Sequence, residues 1–249
     1  MKNKLTISVI IRSIIFWIIM TIAILPYFCL AMILLLIGNK NLSHGVLITW
    51  GKLFTHLAKY LCNVDYEIIG YENIHKIKGP ALFASNHQST WETMAFNLIL
   101  PKHVWVLKRE LLRIPIFGWA FRTMSPIGIN RDDKGVAIEY ILSQGYKRLK
   151  DGFWIMIFPE GTRIAPNIQS EYKTGVARMA INLKVPVIPI GHNAGYIMPK
   201  SSFWIYPGNV TIRIGEAIYP HIDEDHEKLI LRIKDNILQQ VSQIKITQE

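Results

Sequence analysis

Charge is what this sequence is short of. Charged side chains make up 18% of its 249 residues, against about 25% in an ordinary soluble domain. The deficit is local, because from Ser13 to Asn39 there is not one charged side chain. Cysteine is also scarce, with only Cys29 and Cys62. Two such cysteines cannot build the framework of a small secreted disulfide protein, and the usage suits a reducing compartment. Several familiar signatures are missing: G-x-S-x-G, H-E-x-x-H, a P-loop and G-x-G-x-x-G. Their absence argues against a serine hydrolase, a zinc protease and a nucleotide-binding enzyme. No metal site and no tightly bound cofactor are expected.

The charge that is present leans one way. The formal net charge is +10, which implies an anionic partner: nucleic acid, an anionic membrane surface or a phosphorylated substrate. No run of Arg and Lys alternates with stacking aromatics, so nucleic acid is set aside as a partner.

The apolar run follows a basic start of Lys2, Lys4 and Arg12 and precedes Lys40, Lys52 and Lys59. It is longer than the core of a signal peptide and has no small-x-small cleavage site after it, so it is expected to stay on the chain. A spanning helix needs roughly 20 apolar residues, and Ser13–Asn39 is long enough. Pro26 sits near its middle, where a proline interrupts a helix. Basic residues on both flanks favour both ends on one face of a membrane. A half-inserted hairpin turning at Pro26 is the preferred reading, with a single kinked span as the alternative. The stretch His44 to Cys62 reads as an amphipathic helix. Thr49, Lys52, His56 and Lys59 fall on one side, and Leu47, Phe54, Leu57 and Leu61 toward another. Residues 1–62 are therefore assigned to an N-terminal membrane-binding helical segment, and 63–249 to a second, α/β domain.

In that domain short apolar runs alternate with longer helical ones. Strands are expected at Tyr66–Ile69, Ala81–Ser85, Val104–Leu107, Trp154–Phe158, Val185–Ile190 and Thr211–Ile214. Helices are expected at Trp91–Leu100, Lys134–Lys150, Gly175–Leu183 and Glu227–Val241, the last opened by an acidic capping group at Asp223–Glu227. The alternation predicts a largely parallel or mixed sheet flanked by helices. Ligands of such sheets bind beyond the carboxyl ends of the strands.

The polar clusters fall at those ends. Asn86-His87-Gln88-Ser89-Thr90-Trp91-Glu92 follows one strand and opens a helix that Ser89 or Thr90 could cap. Histidine suits general-base work, and a carboxylate on its second nitrogen fixes the tautomer and supports the imidazolium. Read alone, the block could equally be a histidine satisfied in a turn. Phe158-Pro159-Glu160-Gly161-Thr162-Arg163 follows a second strand. Its glycine permits close backbone approach, and its arginine offers a planar fork for phosphate. Arg131 after Gly128-Ile129-Asn130, and Lys108 after Val104–Leu107, add basic groups at two further strand ends. Several such groups converging make an anion pocket.

Taken together the blocks resemble those of the glycerolipid acyltransferases, the family that includes the 1-acylglycerol-3-phosphate enzymes. Four appear in the family order: His87-x4-Glu92, Gly128-Ile129-Asn130-Arg131, Phe158 to Arg163, and Val185-Pro186-Val187-Ile188-Pro189-Ile190. The resemblance implies that His87 deprotonates an acceptor hydroxyl, that Glu92 orients His87, and that the hydroxyl attacks a thioester directly. It implies that Arg163, Arg131 and Lys108 hold the acceptor phosphate. Glu160, Gly161 and Thr162 would shape the acceptor site, and the fourth block would support the core. Lysophosphatidic acid is the implied acceptor, and acyl-CoA or acyl-[acyl carrier protein] the implied donor. The implied setting is a phospholipid membrane, in a bacterium the cytoplasmic face of the inner membrane. Two positions depart from the family pattern: Glu92 stands where aspartate is usual, and Asn130 where aspartate often precedes the arginine. Glycerol-3-phosphate or another lysophospholipid as acceptor remains open at this stage. So do a lipid hydrolase and a non-catalytic membrane adaptor.

Overall fold

The computed structural model describes residues 4–114, 118, 124–129 and 136–245. The chain begins with helix α1 (Ile7–Leu36) and its antiparallel partner α2 (Lys40–Cys62). Thr6 caps α1 by accepting from Val9 N. The interruption expected at Pro26 does not occur, since Pro26 lies inside one 30-residue helix. A mid-helix proline costs roughly 3 kcal/mol. Here α1 is supported on both sides of it, through Phe16 against Phe54, Tyr27 against Trp50 and Ser43 Oγ donating to the Ala31 carbonyl. The reversal comes at Ile37-Gly38-Asn39. Gly38 takes φ +82°, Asn39 N donates to Leu34 O and Gly38 N to Leu35 O, a glycine-dependent helix stop. Asn39 then starts α2 by accepting from Leu42 N. The predicted polar face of α2 is exposed at Thr49, Lys52, His56 and Lys59, while Phe54, Ala58 and Cys62 are buried.

Seven strands follow among the described residues: β1 (Val64–Ile69), β2 (Leu82–Ser85), β3 (His103–Lys108), β4 (Ile127–Ile129), β5 (Trp154–Ile157), β6 (Val187–His192) and β7 (Gly208–Ile214). They form one mixed sheet in the order β1-β7-β6-β2-β5-β3-β4. From β6 to β4 every neighbouring pair is parallel, and only β6 with β7 is antiparallel. Strands β2, β3, β4, β5 and β6 therefore bring their carboxyl ends to one edge. The sixth strand begins at Val187, two residues later than its apolar run, because Lys184 ends the preceding helix in the left-handed region and Pro186 has no N–H for a ladder.

Among the described residues six more α-helices complete the layers: α3 (Glu72–His75), α4 (Trp91–Ile99), α5 (Val136–Lys150), α6 (Gly175–Leu183), α7 (Ala194–Ile197) and α8 (His226–Ser242). Strand alternation sorts the core into two. Phe83, Trp105, Met156 and Ile188 pack with α1, α2 and α4. Leu82, Ala84, Val104, Ile155 and Ile157 pack with α6 and α8, with α5 at the margin. The acidic segment before α8 caps it as expected, Asp225 accepting from Lys228 N.

The outer face of α1 has no protein against it. Ile7, Ile11, Ile18, Ile22, Leu25 and Ile33 are exposed, and only 11% of the helix's most apolar stretch is buried. By length and composition α1 could cross a bilayer, its 30 residues spanning about 45 Å. It is also tied to the α/β unit: Ser13 Oγ accepts from Ile205 N at 2.9 Å, and Trp17 Nε1 donates to Phe203 O at 2.8 Å.

Candidate active site

The loop between β2 and α4 is organised by one carboxylate. Glu92 stands in the first turn of α4, where backbone N–H groups lack helical partners and negative charge is favoured. Its side chain folds back, so that Oε1 accepts from Ser89 N at 2.7 Å, Gln88 N at 2.9 Å and His87 Nδ1 at 2.9 Å. The glutamate arm is long enough to do all three at once. Glu92 is fully buried, and Oε2 has no partner among the described residues. Burial by itself pushes the Glu92 pKa up. The hydrogen bonds from His87 and the Ser89 N–H oppose it, and the carboxyl sits below its ordinary range.

A carboxylate only accepts, so Nδ1 of His87 carries the proton and Nε2 presents its lone pair. That nitrogen takes no protein partner among the described residues, and the side chain keeps 15% of its surface exposed. The ring lies flat on Phe158, centroids 3.9 Å apart, and Phe158 stacks in turn on Trp105. Histidine, carboxylate and aromatic floor thus leave one imidazole nitrogen open.

The neighbouring strand end supplies Glu160. Its Oε2 accepts from His87 N at 3.2 Å. Burial pushes its pKa up to about 8, the His87 N–H pulls the other way, and the Glu92 charge adds to the rise. Gly161 turns the chain at φ +69° with its N–H on Phe158 O. Thr162 is exposed. Arg163 reaches across to α4, its Nη1 donating to Thr90 Oγ1 at 3.0 Å, while Ile164 N donates to His87 O at 2.7 Å. Thr90 therefore serves Arg163 and not the helix cap; Ser89 Oγ takes the capping role by accepting from Trp91 N. Among the predicted site residues, His87, Glu92 and Glu160 are directly bonded and Arg163 borders them. Lys108 lies on the same sheet edge at the end of β3 but pairs with Glu110 at 3.8 Å. Asn130 and Arg131 lie outside the described residues. No group of three His, Cys, Asp or Glu is arranged for a metal among the described residues.

Sequence reasoning passed over His192. It ends β6, next to β2, and is fully buried behind Asn86. The polar pair His192-Asn193, at the end of a strand buried along its whole length, was the available signal.

Comparison with known proteins gives the family. The acyltransferase family model matches residues 65–193, more than half of the chain, and takes in His87, Glu92 and Glu160 to Arg163. A 1-acyl-sn-glycerol-3-phosphate acyltransferase from Pseudomonas aeruginosa is 39% identical over 170 residues, covering 68% of this chain and 65% of that one. The human 1-acyl-sn-glycerol-3-phosphate acyltransferase beta is 27% identical over 73% of this chain and 64% of its own length. The chain thus spans a little under two thirds of these relatives. The crystal structure of the 1-acyl-sn-glycerophosphate acyltransferase from Thermotoga maritima shares the fold, with a TM-score of 0.76 over 97% of this chain and 99% of that one at 22% identity. On a match that spans more than half of its length, this chain belongs to the acyltransferase family.

Proposed function

We propose that the chain transfers an acyl group from an acyl thioester to the free sn-2 hydroxyl of 1-acylglycerol-3-phosphate, giving phosphatidic acid. The observation that carries this reading is the open Nε2 of a histidine whose other nitrogen is held by a buried, backbone-anchored glutamate. His87 Nε2 takes the proton of the acceptor hydroxyl as its oxygen attacks the thioester carbonyl. Glu92 holds the tautomer and balances the imidazolium. The tetrahedral intermediate collapses with loss of the thiolate, which receives the proton from His87, so no covalent acyl-enzyme is needed.

Arg163, with Lys108 at the end of β3 and Arg131 two residues beyond β4 in the sequence, holds the acceptor phosphate. An arginine fork suits that anion better than a point charge does. Glu160, Gly161 and Thr162 form the turn beside the reacting hydroxyl. The outward isoleucines of α1 set the enzyme in the bilayer that holds acceptor and product, on the cytoplasmic face of the inner membrane in a bacterium. The donor is acyl-CoA or acyl-[acyl carrier protein].

The names of the relatives and the arginine beside the base support lysophosphatidic acid as acceptor. The test is a purified protein offered glycerol-3-phosphate, lysophosphatidic acid and an uncharged monoacylglycerol with each donor, products identified by mass. Phosphatidic acid should dominate. Equal use of monoacylglycerol would remove the phosphate from the account, and free fatty acid without donor would replace transfer by hydrolysis.

A further inference from the structure

Asn86 directly follows β2, and His192 ends its parallel neighbour β6. They are joined by three hydrogen bonds. Asn86 Nδ2 donates to His192 O at 2.9 Å, His192 N donates to Asn86 Oδ1 at 3.0 Å, and His192 Nε2 meets Asn86 O at 2.8 Å. The other ring nitrogen, Nδ1, accepts from Ala194 N at 3.2 Å. A carbonyl oxygen can only accept and an amide N–H can only donate. The proton of His192 is therefore on Nε2, the ring is neutral, and both nitrogens are occupied. Burial favours that neutral form, against the pull of Glu92. The ring is sealed from solvent, with its edge against Phe96. Such an imidazole has no free nitrogen for substrate.

What it grips is the peptide unit that carries His87. The carbonyl of Asn86 and the N–H of His87 belong to one plane. The carbonyl is held by His192 Nε2–H, with Ser85 Oγ a second donor at 3.1 Å, and the N–H is held by Glu160 Oε2. The next carbonyl, that of His87 itself, accepts from Ile164 N. Hydrogen bonds at both ends of one peptide polarise and strengthen each other.

We propose that His192 is a positioning residue for the His87 base, clamping the Asn86–His87 peptide from the β6 side while Glu160 clamps it from the β5 side. The proposal rests on His87 being the base. It assigns β6 more than the core support its sequence suggests. Glu92 fixes the ring of His87 and the backbone N–H groups after it, whereas the clamp holds the peptide before it. A displacement of about 1 Å in a reacting group is enough to cost on the order of 10²-fold in rate.

Two substitutions separate the clamp from simple local support, since each keeps one half of the imidazole's bonding. His192→Gln carries an amide N–H to the distance of Nε2 and can still hold Asn86 O. His192→Asn keeps an acceptor at the distance of Nδ1, satisfies Ala194 N, and does not reach Asn86. Full-length protein in detergent, with melting curves to count folded sites, would be assayed for kcat and both KM values beside His87→Ala. The expected result is a kcat for His192→Asn lowered roughly 10- to 100-fold with KM values nearly unchanged, and His192→Gln within about threefold of wild type. The pH–rate curve of His192→Asn should keep its shape, because the base is the same. Wild-type kcat in His192→Asn, or His192→Gln no better than His192→Asn per folded site, would overturn the clamp. Full activity in His87→Ala would instead remove the base assignment and the clamp with it.

Discussion

Replacing Glu92 by glutamine removes one charge from the interior and leaves the shape of the site nearly intact. Oε1 now accepts from His87 Nδ1, Gln88 N and Ser89 N. An amide oxygen can accept from the same three, and the flipped amide would face three donors, so the oxygen stays in place and the His87 tautomer is kept. In the proposed mechanism, what disappears is the negative charge beside the imidazolium that forms during transfer. Two unit charges about 4 Å apart interact by about 4 kcal/mol at an effective dielectric near 20. With the proton roughly half transferred, about 2 kcal/mol is lost from the transition state. At about 1.4 kcal/mol per decade this is roughly a 30-fold fall in rate. A separate cost falls on stability. The amide NH2 takes the place of Oε2, which is buried without a partner among the described residues, and an unsatisfied buried donor costs about 1–3 kcal/mol. Acyl transfer measured across acceptor concentrations, with a melting curve for each protein, reads the two effects apart. The expected outcome is kcat down roughly 30-fold, KM steady and a lowered Tm. Wild-type kcat in Glu92→Gln would refute the reasoning, because the charge would then do nothing for the base.

Three further outcomes are expected. Arg163→Lys should raise KM for the phosphorylated acceptor and be nearly as impaired as Arg163→Ala, because the planar fork is lost along with the bond to Thr90; identical kinetics for wild type and Arg163→Lys would exclude Arg163 from the phosphate site. Glu160 has its pKa raised from 4.5 to about 8, so the folded state holds a proton that the unfolded state has lost between those values. Stability from this group is complete below about pH 4.5 and is lost as pH rises through about 8. Glu160→Gln should therefore flatten the fall of Tm across that window, and an unchanged slope would show that the carboxyl is not held protonated. Ile22→Lys, on the outward face of α1 where Ile22 is 70% exposed, should weaken binding to phospholipid vesicles by roughly 10²-fold for a charge costing about 2.5–3.5 kcal/mol in the bilayer, with Tm in detergent unaltered. Undiminished vesicle binding would place some other surface against the membrane.

Much of the α/β unit was legible because its strands are buried on both faces and its helices carry an apolar stripe; α6 has the bounds that its periodicity gave. The N-terminal pair was misread because Pro26 was weighed above Gly38-Asn39. Proline withdraws one donor and crowds one turn, which helix-to-helix packing absorbs. A glycine able to reach φ +82°, followed by an asparagine cap, supplies both the stop and the restart. The geometry of the candidate site was legible where its parts are close in sequence, as with His87 and Glu92. It was illegible where it depends on which strands are neighbours. Asn86 and His192 lie 106 residues apart, and only the order β6-β2-β5 reveals that the His87 peptide is held from two sides.

The central claim is that His87 takes the proton from the acceptor hydroxyl, and His87→Ala tests it most directly. The measurement is formation of phosphatidic acid from lysophosphatidic acid and an acyl thioester by purified full-length protein, with fold and vesicle binding checked in parallel. Removal of a positioned base should lower the rate by about 10²–10⁴-fold while fold and membrane binding persist. A folded His87→Ala protein that keeps more than about a tenth of the wild-type rate would contradict it, because loss of a positioned base costs at least about 10²-fold.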